Sequence, residues 1–152
     1  MKFRSAGFTL IELLVVVALI AIASAVASLA LRDPASTRLE REGARLAALL
    51  ESARAEARAS GVAARWEPLA AAVDQPDFRF VGLSDTSELP DHWLGPGVSA
   101  RVIGARAVLL GPEPLIPAQR IVLTLEDRHL TLATDGLGPF AVAAEEAAIA
   151  RQ

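Results

Sequence analysis

No cysteine occurs in the 152 residues, which excludes a disulfide framework and any thiolate metal site. A domain exported from the cytoplasm would have to hold itself together by packing alone. Histidine is scarce too. His92 and His129 lie far apart, without the spacing of a metal site, and read as solvated or turn residues. The stretch "DTSELPD" offers Asp85, Glu88 and Asp91, but without EF-hand spacing it reads as a solvated acidic loop. No phosphate loop, nucleophile elbow or recognisable triad is present, so no cofactor is expected and an anchored enzyme has no constellation behind it. The net charge of −3 supplies no basic excess for nucleic acid.

What the chain has in abundance is apolar sequence at its front. From Leu13 to Leu31 there is neither charge nor proline. As a helix rising 1.5 Å per residue that run is about 29 Å long, near the thickness of a bilayer's hydrocarbon. Lys2 and Arg4 precede it, whereas Arg32 is followed at once by Asp33. The positive-inside rule then keeps the N-terminus cytoplasmic and exports the rest. One carboxylate, Glu12, lies at the front of this run. A secretory signal peptide would use small-residue sites such as Ala23-Ser24-Ala25, but its apolar region is ordinarily only ~7–15 residues. A plain anchor explains the length and leaves the acid unexplained. A carboxylate at a helix centre costs ~2.5–3.5 kcal/mol on insertion scales, less near the interface, and is usually retained for a function.

The residues "GFTLIELLVVVALIAI", behind a short basic leader, resemble the N-terminus of type IV pilins and type II secretion pseudopilins. The resemblance implies that a prepilin peptidase cuts after Gly7 and N-methylates the new first residue, Phe8. It also makes Glu12 the fifth residue of the mature chain, the family's assembly glutamate. Two unit charges ~4 Å apart attract by about 4 kcal/mol at an effective dielectric near 20, before desolvation. Pairing of Glu12 with the α-amine of a mature chain would therefore fix one axial register. Ala21/Ala25 and Ser24/Ser28 add small-xxx-small pairs that let helices approach closely, or are simply the small residues common in membrane helices.

After Asp33-Pro34, Leu39, Leu46, Leu50, Ala53 and Ala57 form one helical stripe, with Gly43 in its gap and charges opposite. Thr37 and Glu40 suggest a capping box, Gly61 a stop, and Pro34 a kink or local break. Beyond Gly61, "VAARWEPL", "DFRFVGL", "VSARVIGARAVLL", "RIVLTLE" and "HLTLAT" read as strands. The last two predict a hairpin turning through Asp127-Arg128. Trp66, Trp93, Phe78, Phe80 and Phe140 read as core aromatics. The closing "AAEEAAIARQ" reads as weakly helical or frayed.

Two stretches, "LEREGARLAALLESARAEARASG" and "LGPEPLIPAQRIVLTLEDRHLTLATDGLGPFAV", look like the H-type minor pseudopilins of type II secretion. The expected fold is α+β and type IV pilin-like, a long spine helix on antiparallel sheet. Its divisions would be a leader over 1–7, a membrane or filament-core helix over 8–31, the soluble spine over 32–60 and a periplasmic β-rich domain over 61–152. The resemblance implies a structural subunit, not an enzyme, in the inner membrane and then in a periplasmic pseudopilus. Its partners would be the major and other minor pseudopilins, the prepilin peptidase, the secretion platform and membrane lipid. The alternative is a minor pilin or competence subunit acting in pilus assembly or DNA uptake. Arg101, Arg106, Arg120 and Arg128 would have to gather on one face for DNA, while leader removal makes the balance two charges more negative.

Overall fold

A computed structural model describes residues 9–30, 34–70, 72–84 and 86–143, without the side chains of residues 25–30. It divides into two compact units, residues 1–34 and 35–152. The first unit contributes helix α1, Leu10–Ala30. The second begins along helix α2, Pro34–Ser60. Thr37 and Glu40 lie inside α2, so the expected capping box does not begin it. Gly61 ends it in the left-handed conformation, φ 68°, as a residue after a helix commonly does. The expected kink or break would fall on residues 31–33, outside the described residues.

The chain then forms seven strands: β1 Ala64–Pro68, β2 Phe78–Val81, β3 Val98–Val102, β4 Val108–Gly111, β5 Gln119–Leu125, β6 Arg128–Thr134 and β7 Ala141–Val142. They make two antiparallel sheets, ordered β2-β1-β4 and β3-β5-β6-β7. The single run expected over residues 98–110 is thus two strands in different sheets. Gly104, in the left-handed region at φ 76°, lies in the connection between them. The edge of β4 is tied to β5 by a side chain. The Gln119 amide accepts from Leu109 N–H at 2.7 Å and donates to Leu109 C=O at 2.9 Å, as a neighbouring strand would.

The helical stripe is the helix's packing face. Leu39, Leu46, Leu50, Ala53 and Ala57 are all buried. A Cβ at Gly43 would come within 2.7 Å of a Leu130 methyl, so glycine there lets α2 approach β6. From the sheet side, Ile121↔Leu132 and Leu123↔Leu130 pair across β5 and β6, their alternation turning one face toward the helix. Trp66, Phe78 and Phe140 are buried, with Phe80 and Trp93 partly buried against them. The Phe78 and Trp93 rings lie 4.8 Å apart between centroids. Fully burying side chains of this size is worth roughly 1.5–3 kcal/mol each.

The β5–β6 hairpin is present, but its turn is Glu126-Asp127, one residue earlier than expected, with Leu125 opposite Arg128. Glu126 adopts φ 56°, a left-handed conformation that costs a non-glycine residue about 1–2 kcal/mol. Glu126→Gly is therefore expected to stabilise the chain by about 0.5–1 kcal/mol, since glycine's looser unfolded state offsets part of the relief. A fall in the urea midpoint would show that the glutamate is held there by a compensating contact.

Candidate functional site

The sequence places the candidate chemistry at the front of α1. Gly7 and Phe8 lie outside the described residues. Glu12 occupies the first turn of α1. Its N–H approaches Thr9 C=O at 3.1 Å and Thr9 Oγ1 at 3.3 Å. Thr9 is thus the N-cap and Glu12 the third helical residue, the spacing of a capping box. That signal, "TLIE", was readable in the sequence and gives the acid a local role near the positive end of the helix dipole.

The described side chains of α1, Leu10 to Ser24, are exposed throughout, Leu10 by 84% and Ile22 by 62%. Among the described residues no helix is long and apolar enough to cross a membrane. Of the small residues, Ala21, Ala23 and Ser24 are described, but the side chains of their partners Ala25 and Ser28 are not. The arrangement is a bare apolar helix with one acid in its first turn, suited to bury itself against lipid or other helices.

In the second unit, α2 does more than pack. Side chains flanking its apolar stripe hold three connecting segments by their backbones. Arg38 and Arg45 donate to Pro96 C=O at 3.2 Å and His92 C=O at 2.9 Å, and Glu42 accepts from Leu94 N–H at 2.6 Å. Further along, Arg54 donates to Gly136 and Gly138 C=O at 2.7 and 3.0 Å, while Glu51 accepts from Phe140 N–H at 3.1 Å. Arg58 reaches Pro114 C=O at 3.3 Å. Glu42 and Arg54 are buried, so not every charge stands opposite the stripe. Their partners lie 52 to 84 residues away in sequence, and no local spacing announces such bonds.

Glu56 secures the start of the acidic loop. It accepts from Ser84 N–H at 3.0 Å, from Ser84 Oγ at 2.9 Å and from Ser87 Oγ. The Ser87 hydroxyl, then the Ser84 N–H and hydroxyl, hold its carboxyl below the ordinary glutamate range. Bonds to the charged form favour that form. The contribution is present above the unfolded pKa and lost as pH falls through the lower folded pKa. Glu56→Gln is accordingly expected to make stability less steep between about pH 5 and pH 3, in acid titrations of unfolding followed by fluorescence. An unchanged acid limb would show that this contact is not felt by folding.

The other candidates are spread over the second unit's strands and connections. His92 Nδ1 sits 2.6 Å from Asp91, and His129 Nδ1 lies 3.1 Å from Thr124 Oγ1. Among the described residues no group of three or more histidines and acids could hold a metal ion. Asp85 is outside the described residues. Arg101 and Arg120 share the outward face of the paired strands β3 and β5, while Arg106 lies in the β3–β4 connection and Arg128 begins β6, 3.9 Å from Asp127.

Residues 2–28 match the prokaryotic N-terminal methylation motif. The solved structure of the Pseudomonas aeruginosa (strain PAO1) type IV minor pilin FimU is similar, with a TM-score of 0.52 at 14% identity, covering 72% of this chain and 90% of that one. A comparison with curated protein sequences gave no match. The chain therefore carries a pilin-type methylation motif and has the type IV pilin fold, helices with antiparallel sheets.

Proposed function

We propose that this chain is a structural subunit of a type IV pilin-like filament and, within that class, an H-type minor pseudopilin of type II secretion. Its leader would be removed after Gly7 by a prepilin peptidase and Phe8 methylated. It would then wait in the inner membrane, its N-terminus cytoplasmic and its β-rich domain periplasmic, before joining other pseudopilins in a filament that moves folded proteins outward. What supports the filament-subunit part of this reading is the meeting of two features, the methylation motif over residues 2–28 and the pilin fold. The exposed apolar α1 supports it, because such a helix is stable only against lipid or other helices. A second reading, a minor pilin acting in pilus assembly, is favoured by the similar structure being a type IV minor pilin.

Intact mass and N-terminal sequencing of protein extracted from membranes test the shared part of both. The mature chain is expected to begin at Phe8 with a methylated amine. A start at Ala25, Val26 or a neighbour would mean an ordinary signal peptide and overturn the filament reading.

A further inference from the structure

The outward face of the four-stranded sheet carries two arginines that nothing among the described residues answers. Val102 on β3 and Ile121 on β5 are buried, while their neighbours Arg101 and Arg120 are exposed. Arg101 stands opposite Val122. Ile103 N–H donates to Arg120 C=O at 3.0 Å, which sets Arg120 opposite Ile103. The two arginines are therefore diagonal neighbours on adjacent strands, about 7–8 Å apart. Neither guanidinium has a hydrogen bond or ion pair among the described residues. Arg120 also lines a cleft of 600 Å³ whose walls include Ile103, Ala118, Ala133 and Pro139. We infer that this face docks an acidic segment of another protein, two of its carboxylates meeting Arg101 and Arg120 and an apolar neighbour entering the cleft.

Charge complementarity selects this occupant. Two like charges held this close repel, and a carboxylate brought to each replaces that repulsion with charge-assisted hydrogen bonds. The described acids nearby do not supply it. Glu126 and Asp127 form the hairpin turn, four residues or more beyond Val122. That is about 13 Å along the strand, past the ~8 Å over which physiological salt screens exposed charges. Asp135 borders the cleft, but its carboxylate accepts from Gly138 N–H at 2.8 Å and Leu137 N–H at 3.0 Å.

Geometry selects the form of the segment. In an extended chain, side chains two residues apart share a face and lie about 6.6–6.8 Å from each other, close to the arginine diagonal. Val122, Thr131 and Ala133 lie beside the arginines on β5 and β6, and their short side chains leave room for a chain to cross. Nucleic acid fits less well. Two cations on a chain of net charge −3 neutralise too few phosphates for useful affinity, and a phosphate backbone brings no apolar side chain for the cleft. The face belongs wholly to the second unit and does not rest on the filament reading.

The test uses the full-length chain in a non-ionic detergent and fluorescence anisotropy of a labelled peptide, Gly-Ser-Leu-Glu-Ala-Glu-Leu-Ser-Gly. Saturable binding is expected, and binding weaker by about tenfold or more when glutamine replaces both glutamates. Arg101→Ala and Arg120→Ala are each expected to weaken the acidic peptide about tenfold. Arg41→Ala, an equal loss of charge on an exposed position of α2, should change it by less than about twofold. No saturable binding up to about 1 mM peptide, equal binding of the glutamine peptide, or arginine variants no weaker than Arg41→Ala would each overturn the inference. So would tighter capture of a short DNA duplex at the same salt, or dimers in sedimentation that Arg101→Ala disperses, which would make a second copy the occupant. Tighter peptide binding after removal of residues 144–152 would make the chain's own end the occupant and overturn it too.

Discussion

Arg54→Ala is expected to destabilise the full-length chain by about 3 kcal/mol or more, from the loss of two charge-assisted hydrogen bonds at ~1.5–3 kcal/mol each. The guanidinium is buried, 2% exposed, and bonds to Gly136 and Gly138 C=O. Truncation leaves the buried Gly136 carbonyl without its donor and opens a cavity beneath the β6–β7 connection. Apart from Glu51, which accepts from Phe140 N–H, the other bonds described for that connection are local to it. Thr134 Oγ1 bridges Gly136 N–H and Gly138 C=O, and the Asp135 carboxylate accepts from Leu137 and Gly138 N–H. Urea unfolding followed by tryptophan fluorescence reads the effect, both tryptophans lying in the second unit. Arg54→Met separates the causes, since it restores most of the volume without any donor. It is expected to remain within about 1 kcal/mol of the alanine variant, because hydrogen bonding rather than packing dominates. Recovery of wild-type stability by methionine would reverse that assignment.

The Arg54 contact also marks where reading the sequence stops. The α2 stripe and its glycine gap were legible, because burial on one face of a helix imposes a 3.6-residue period that the sequence must carry. The hairpin was legible from alternation, but its turn was misplaced by one residue because Glu126 occupies a conformation usually left to glycine or asparagine. The division of residues 98–110 between two sheets was not legible, since both halves alternate alike and only the tertiary partner differs. The backbone bonds made by Glu42, Arg54 and Glu56 were invisible for a similar reason. A charged residue that will bind a distant carbonyl or N–H looks, in sequence, like one that faces water. At the front of α1 the pattern supplied a residue without its full context. Glu12 stands out as the lone acid of an apolar run. Thr9, its capping partner, does not, because a threonine signals a cap only once the start of the helix is fixed.

Glu12→Leu is expected to leave membrane insertion and leader cleavage largely intact but to impair incorporation into the filament. The substitution removes a charge from an apolar helix and lies downstream of the Gly7–Phe8 bond. The second unit should keep its fold, being compact by itself from Ala35 onward. Two roles for the acid make different demands on a milder change. As the third residue after the Thr9 cap, whose Oγ1 accepts from the Glu12 N–H, Glu12 would contribute through its side chain a dipole or reciprocal capping interaction of about 0.3–1 kcal/mol, and glutamine fills the reciprocal position of a capping box nearly as well. As the partner of a mature chain's α-amine, it supplies a charge attraction of about 4 kcal/mol before desolvation, which glutamine cannot. The larger quantity should decide, so Glu12→Gln is expected to fail in assembly almost as fully as Glu12→Leu. The measurement is cross-linking to other filament subunits in wild type and both variants, with mature protein levels matched. Full cross-linking with glutamine and loss with leucine would reduce Glu12 to a helix cap, whereas full cross-linking with leucine would remove it from assembly altogether.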